Sequence, residues 1–116
     1  MGELGFRERL LWIGFVGADR RLYKTMSQVP ITYRPKPGIV EFVVSRLPRV
    51  LAGLEAETTV ALLITRPGGG AISEADRLWA TALTEAAARF DVPLEPIFRA
   101  NDESVVGLDP GLEATG

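Results

Sequence analysis

The apolar positions of this chain fall into two rhythms. Leu10 to Val16 (LLWIGFV) and Thr58 to Thr65 (TTVALLIT) are continuous apolar runs rich in β-branched and aromatic residues. Runs of this kind predict strands inside a sheet, with the second one buried on both faces. Ile39 to Leu54 and Glu74 to Phe90 keep a spacing of three and four instead. In the first, Ile39, Val43, Leu47, Val50, Leu51 and Leu54 share one helical face. In the second, Ala75, Leu78, Trp79, Ala82, Leu83, Ala86 and Phe90 do. Pro48 must kink or split the first helix, because it has no amide hydrogen and crowds the carbonyl four residues back.

The intervening segments complete the order. Gly17-Ala18-Asp19-Arg20 is turn chemistry, and the more polar Leu22 to Thr32 returns as a second strand to make a hairpin. Tyr33 to Gly38 (YRPKPG) is a proline-held loop. Pro93 to Ala100 reads as a strand near an edge because of its prolines. Asn101-Asp102-Glu103 is a turn, and Ser104 to Leu108 adds a last short strand. Residues 1–8 read as a lead-in and residues 109–116 as a loose tail. The order β-β-α-β-α-β(-β) predicts one α/β (α+β) domain, a mixed β-sheet flanked by helices.

Composition narrows the chemistry. A formal charge of −2 gives no general pull toward nucleic acid or an anionic membrane. The small basic tip of Arg20, Arg21 and Lys24 has no groove-reading helix with it, so no nucleic-acid partner is expected. No run approaches the roughly 20 apolar residues of a membrane helix. The N-terminal stretch lacks the pattern of a secretory signal, and the expected location is cytoplasmic. The chain contains no cysteine and no histidine. That removes thiol nucleophiles, imidazole bases and most zinc-ligand sets, so no cofactor or metal is expected.

The candidate site lies between the second strand-like run and the helix after it. Arg66-Pro67-Gly68-Gly69-Gly70 opens into Ser73, an N-cap, with Asp76 three residues on in the spacing of a capping box. The amides of Gly68, Gly69 and Gly70, the helix N-terminus at Ser73 and the Arg66 guanidinium together could cradle an anion or a nucleotide phosphate. Glu74 and Asp76 oppose this, and the loop matches neither a Walker motif nor a dinucleotide fingerprint. A hydrolase built on Ser73, or on Glu8 and Asp76, would need a base that no histidine supplies.

Several of these features together resemble RadC-like proteins of the wider MPN/JAB metalloprotease-like group. The run from Arg7 (RERLLWIGFVGADRRLY) is similar to their opening strand, turn and partner strand. Ile64-Thr65-Arg66-Pro67-Gly68-Gly69, then Ser73-Glu74-Ala75-Asp76, follows their strand–loop–helix motif. Asp91-Val92-Pro93-Leu94 and the closing Ser104 to Leu108 continue the likeness. The resemblance implies an MPN/JAB-like fold and a zinc site of two histidines and an aspartate, with a glutamate activating water. Matched by position, the histidines fall on Ile64 and Arg66, the glutamate on Glu8, the serine on Ser73 and the aspartate on Asp76. Neither Ile64 nor Arg66 can ligate zinc. The implied function is a non-catalytic domain that binds a protein partner or serves as a scaffold, and the apolar composition is compatible with a homodimer. Two carboxylates left near each other without a dication would call for a positive group. Arg66 is expected to supply it by pairing with Asp76, Glu8 or both.

Overall fold

The computed structural model describes residues 8–108. The expected tail, and the lead-in apart from Glu8, lie outside them. β1 (Leu10–Val16) sits between β2 (Ser27–Pro30) and β3 (Thr59–Thr65). β4 (Ile97–Ala100) and β5 (Val105–Leu108) complete a five-stranded sheet in the order β2-β1-β3-β4-β5. Neighbours are antiparallel except β3 and β4, which run parallel and are joined through α3 (Glu74–Arg89). α1 (Pro37–Val44) and α2 (Leu47–Ala52) connect β2 to β3. The molecule is a mixed α+β fold with helices against its sheet, in the chain order expected. No described helix is long and apolar enough to cross a membrane.

Strand alternation sorts the sheet into two faces. Leu11, Ile13, Val60, Leu62, Ile64 and Ile97 point into a core shared with Val40, Val43, Val44, Trp79 and Leu83 from the helices. The opposite face carries Trp12, Leu63 and Phe98 in one cross-strand row. Phe98 is 43 % exposed. β3 is therefore covered on one side only, against the expectation of burial on both. Its uninterrupted apolar run reflects a second apolar surface rather than a second layer of helices. Trp12 is half-buried on that open face, not in the core.

Other boundaries differ for local reasons. The helix over Ile39 to Leu54 is split at Ser45 and Arg46, and Pro48 falls in the first turn of the second piece, where its missing amide hydrogen removes no helical bond. The split turns the face: Val40, Val44 and Leu47 are buried with Val43, while Val50 is 43 % exposed. β2 is only four residues long, and Leu22 makes an isolated bridge to Val16. Residues 17–26 thus form a long connection instead of the rest of a strand. β4 does lie near the edge, one strand in: its prolines precede it and β5 pairs outside it. In α3 the buried stripe takes in Asp76, Ala80 and Ala87 as well as the expected apolar residues, and Leu78 and Ala82 are only partly covered.

The basic tip is tied down. Arg20, with φ +66°, donates two hydrogen bonds to Glu95 at 2.7 and 3.0 Å, and Thr59 donates a third at 2.6 Å. These donors, Arg20 first, bring the Glu95 carboxyl down to about 2. The pair fastens the turn after β1 to the approach to β4.

Candidate functional site

β3 ends at Thr65, so Arg66 leaves the sheet with its amide still bonded to the Ala100 carbonyl of β4. The loop then needs two residues in the left-handed region, and glycine occupies both: Gly68 at φ +87° and Gly70 at φ +95°. Ser73 caps α3 in a reciprocal box. Its hydroxyl accepts from the Asp76 amide at 3.1 Å, and its own amide donates to the Asp76 carboxylate at 2.9 Å. The box commits the Asp76 side chain to the helix N-terminus and turns it inward, where it is fully buried.

Three guanidinium groups meet that carboxylate. Arg66 forks onto it, with Nε at 3.0 and 3.3 Å from the two oxygens and Nη2 at 3.0 Å. Its Nη1 and Nη2 also donate to the carbonyls of Pro67 and Ala71 respectively. Arg99 is fully buried and places Nε 3.3 Å from Asp76 Oδ2. Arg9 brings Nη1 to 3.7 Å from Oδ1 and lies over the Tyr33 ring at 4.8 Å from its centroid. Burial alone would push the Asp76 carboxyl up. The Arg66 hydrogen bonds, the Ser73 amide and the charges of Arg66 and Arg99 together hold it below its ordinary value. Burial also pulls Arg9 below its usual value; Asp76 offsets part of this, and the like charge of Arg66 adds to it.

Arg9 and Arg99 carry no weight in a motif-based reading of the chain. Strand alternation could have found Arg99, since it sits two residues after the core residue Ile97. Its register partner on β3 is Ile64, itself opposite Leu11. Two of its nitrogens lean on the Ser104 hydroxyl and the Gly70 carbonyl, each at 3.4 Å. Arg9 stands just before β1, and nothing in its neighbours marks it for burial.

The turn between β4 and β5 closes the loop from outside. The Gly68 amide donates to Asp102 Oδ2 at 2.8 Å, and the Gly70 amide donates to Glu103 Oε1 at 2.9 Å. A methyl group on Gly69 would run into the Glu103 carboxylate. Asn101 reaches back to the Gly70 carbonyl at 3.0 Å, while its own carbonyl oxygen accepts from the amides of Glu103 and Ser104. The glycine amides do face carboxylates, and those carboxylates belong to the chain itself.

Among the residues singled out from sequence, the structure thus joins Arg66, Ser73 and Asp76 directly. Gly68 and Gly70 form the wall beside them. Ile64 is wholly buried in the apolar core. Glu8 is exposed, and Arg66 directs its side-chain hydrogen bonds to Asp76, Pro67 and Ala71. No family model matches this sequence, and no curated protein matches it.

The residues present do not fit the zinc ion that the RadC-like resemblance implies. One carboxylate surrounded by three guanidinium groups repels a dication, and its oxygens already accept from Arg66 and Ser73. Among the described residues no group of three or more histidine, cysteine, aspartate or glutamate side chains is placed to hold a metal. The Ser73 hydroxyl serves the Asp76 amide, and the Asp76 carboxylate beside it is taken up by Arg66 and the Ser73 amide. The arrangement locks a strand end, a loop, a helix start and a turn to one buried charge.

Proposed function

We propose that this chain is a non-catalytic domain of the MPN/RadC-like kind, working in the cytoplasm as a protein-binding or scaffold module. The observation that carries this reading is the engagement of the fully buried Asp76 by Arg66. The loop end, where such a domain would do its chemistry, is occupied by the protein's own charges. The anion-binding alternative has less support, because a phosphate at the glycine loop must displace Asp102 and Glu103 from the Gly68 and Gly70 amides. Contact with a partner then falls to the surface that remains apolar and uncovered, the open face of the sheet.

Zinc titration tests the proposal. A ligand that binds the folded state raises its melting temperature once its concentration passes Kd, and goes on raising it logarithmically. The melting temperature is expected to stay flat as zinc is added to the purified chain, and calorimetry is expected to show no saturable heat. A rise in melting temperature with a saturable heat, both abolished by Asp76→Asn or Glu8→Gln, would overturn the reading.

A further inference from the structure

The positive charge gathered at Asp76 exceeds what one carboxylate balances. Arg9, Arg66 and Arg99 converge on it, and it sits at the N-terminus of α3, whose free amides add partial positive charge. The three guanidinium groups are not equally satisfied. Arg66 has both Asp76 oxygens and two carbonyls. Arg99 adds the Ser104 hydroxyl and the Gly70 carbonyl, although its Nε is sealed from solvent without a hydrogen-bond acceptor. Arg9 has least. Its Nη1 is sealed in the same way, and its guanidinium makes only the 3.7 Å approach to Asp76 and the contact with the Tyr33 ring. Buried donors nearly always find acceptors, and a buried charge needs a counter-charge. Deprotonation is no way out for arginine.

A further arginine reaches the same ring. Arg34 is exposed and lies 5.9 Å from the Tyr33 centroid, and it forms no ion pair among the described residues. The backbone brings these groups together. The Ile31 amide donates to the Arg9 carbonyl at 3.0 Å, which sets residues 32–34 beside Arg9, and Trp79 Nε1 holds the carbonyls of Thr32 and Tyr33. The Tyr33 ring is 58 % exposed, and the Arg9 side chain keeps 13 % of its surface open. The acids of this end are spent or turned away. Asp76 is forked by Arg66, Asp102 and Glu103 accept from the Gly68 and Gly70 amides, and the exposed Glu8 and Glu74 pair with neither Arg9 nor Arg34.

We propose that Arg9, Arg34 and the Tyr33 ring form a site for a phosphate dianion, free or as a monoester, with Arg66 and Arg99 behind it. Three guanidinium groups against one carboxylate leave two positive charges, which favours a dianion over a carboxylate ligand. The site is reached from the Tyr33 side. It needs neither the glycine amides nor Ser73, and it stands or falls apart from the MPN-like reading.

Calorimetric titration of the full chain with sodium phosphate tests this, at about pH 8, where phosphate is chiefly dianionic, with ionic strength held constant by sodium chloride. A saturable heat is expected, and the melting temperature should climb with phosphate. Arg34→Gln and Arg9→Gln should each weaken binding by about tenfold. Arg34 is exposed, so its variant carries the test where Arg9→Gln disturbs the fold. Arg21→Gln, an exposed arginine at the other end of β1, should leave binding unchanged. So should Glu103→Gln, which frees the Gly70 amide. Acetate should bind about tenfold more weakly than phosphate. Phenyl phosphate separates the two sources: tighter binding that Tyr33→Leu removes assigns a monoester, and equal binding assigns free phosphate. The proposal is overturned by the absence of a saturable heat at concentrations on the order of tens of millimolar. It is equally overturned by an equal loss with Arg21→Gln, by acetate binding as tightly, or by Glu103→Gln binding tighter, which would move the anion to the glycine loop.

Discussion

Replacing Asp76 with asparagine is expected to destabilise the fold by roughly 3–5 kcal/mol, the range seen when one partner of a buried ion pair is removed. The side chain is fully buried, and its negative charge holds Arg66 and Arg99 together. Asparagine fills the same space but leaves three guanidinium groups crowded around a neutral amide. It also turns an N–H group toward donors and weakens the box with Ser73. In a chain of this size the melting temperature should fall by about 10–20 °C, read by circular dichroism. The pH dependence should change as well. The Asp76 carboxyl is held below its ordinary value, so its stabilisation is complete above the unfolded value near pH 3.9. It is lost as pH falls through the lower folded value. Acid should therefore destabilise the natural chain through this group and spare the asparagine variant that component.

Trp79→Ala should be comparably damaging, at about 3–5 kcal/mol. Trp79 is fully buried on α3 and packs in the cluster with Val40, Val43 and Leu83. Its Nε1 donates to the carbonyls of Thr32 and Tyr33, both at 3.1 Å. Alanine would open a cavity and leave two carbonyls without their shared donor. Tyr33 is also the ring under Arg9, so the same change loosens one wall of the charge cluster. Trp79→Phe separates the causes: it keeps most of the packing and should lose about 1–2 kcal/mol from the missing donor. Chemical denaturation of both variants checks this.

The parts of the fold that local physics controls were legible before any coordinates. LLWIGFV is β1 to the residue, Ser73 caps α3, and Pro48 divides a helix because a pyrrolidine nitrogen has nothing to donate. The parts that depend on tertiary neighbours were not. A run such as TTVALLIT looks the same whether its second face meets helices or awaits another molecule. At the site, the Arg66–Asp76 pairing follows from a loop that folds back on a helix N-terminus. Glu8 was expected nearby on a resemblance alone. Arg99 was hidden by its charge, since alternation placed it inward and ordinary preference would place an arginine outward. Its burial becomes intelligible only once Asp76 is known to wait on the far side.

Asp76 and Arg66 act as one interlocked unit sealing the loop end. A double-mutant cycle on unfolding free energy, with Arg66→Met, Asp76→Asn and the two combined, tests it most directly. The expected result is a double variant less damaged than the two single losses added together, with a coupling of about 2–3 kcal/mol. Losses that simply add, to within about 0.5 kcal/mol, would contradict it.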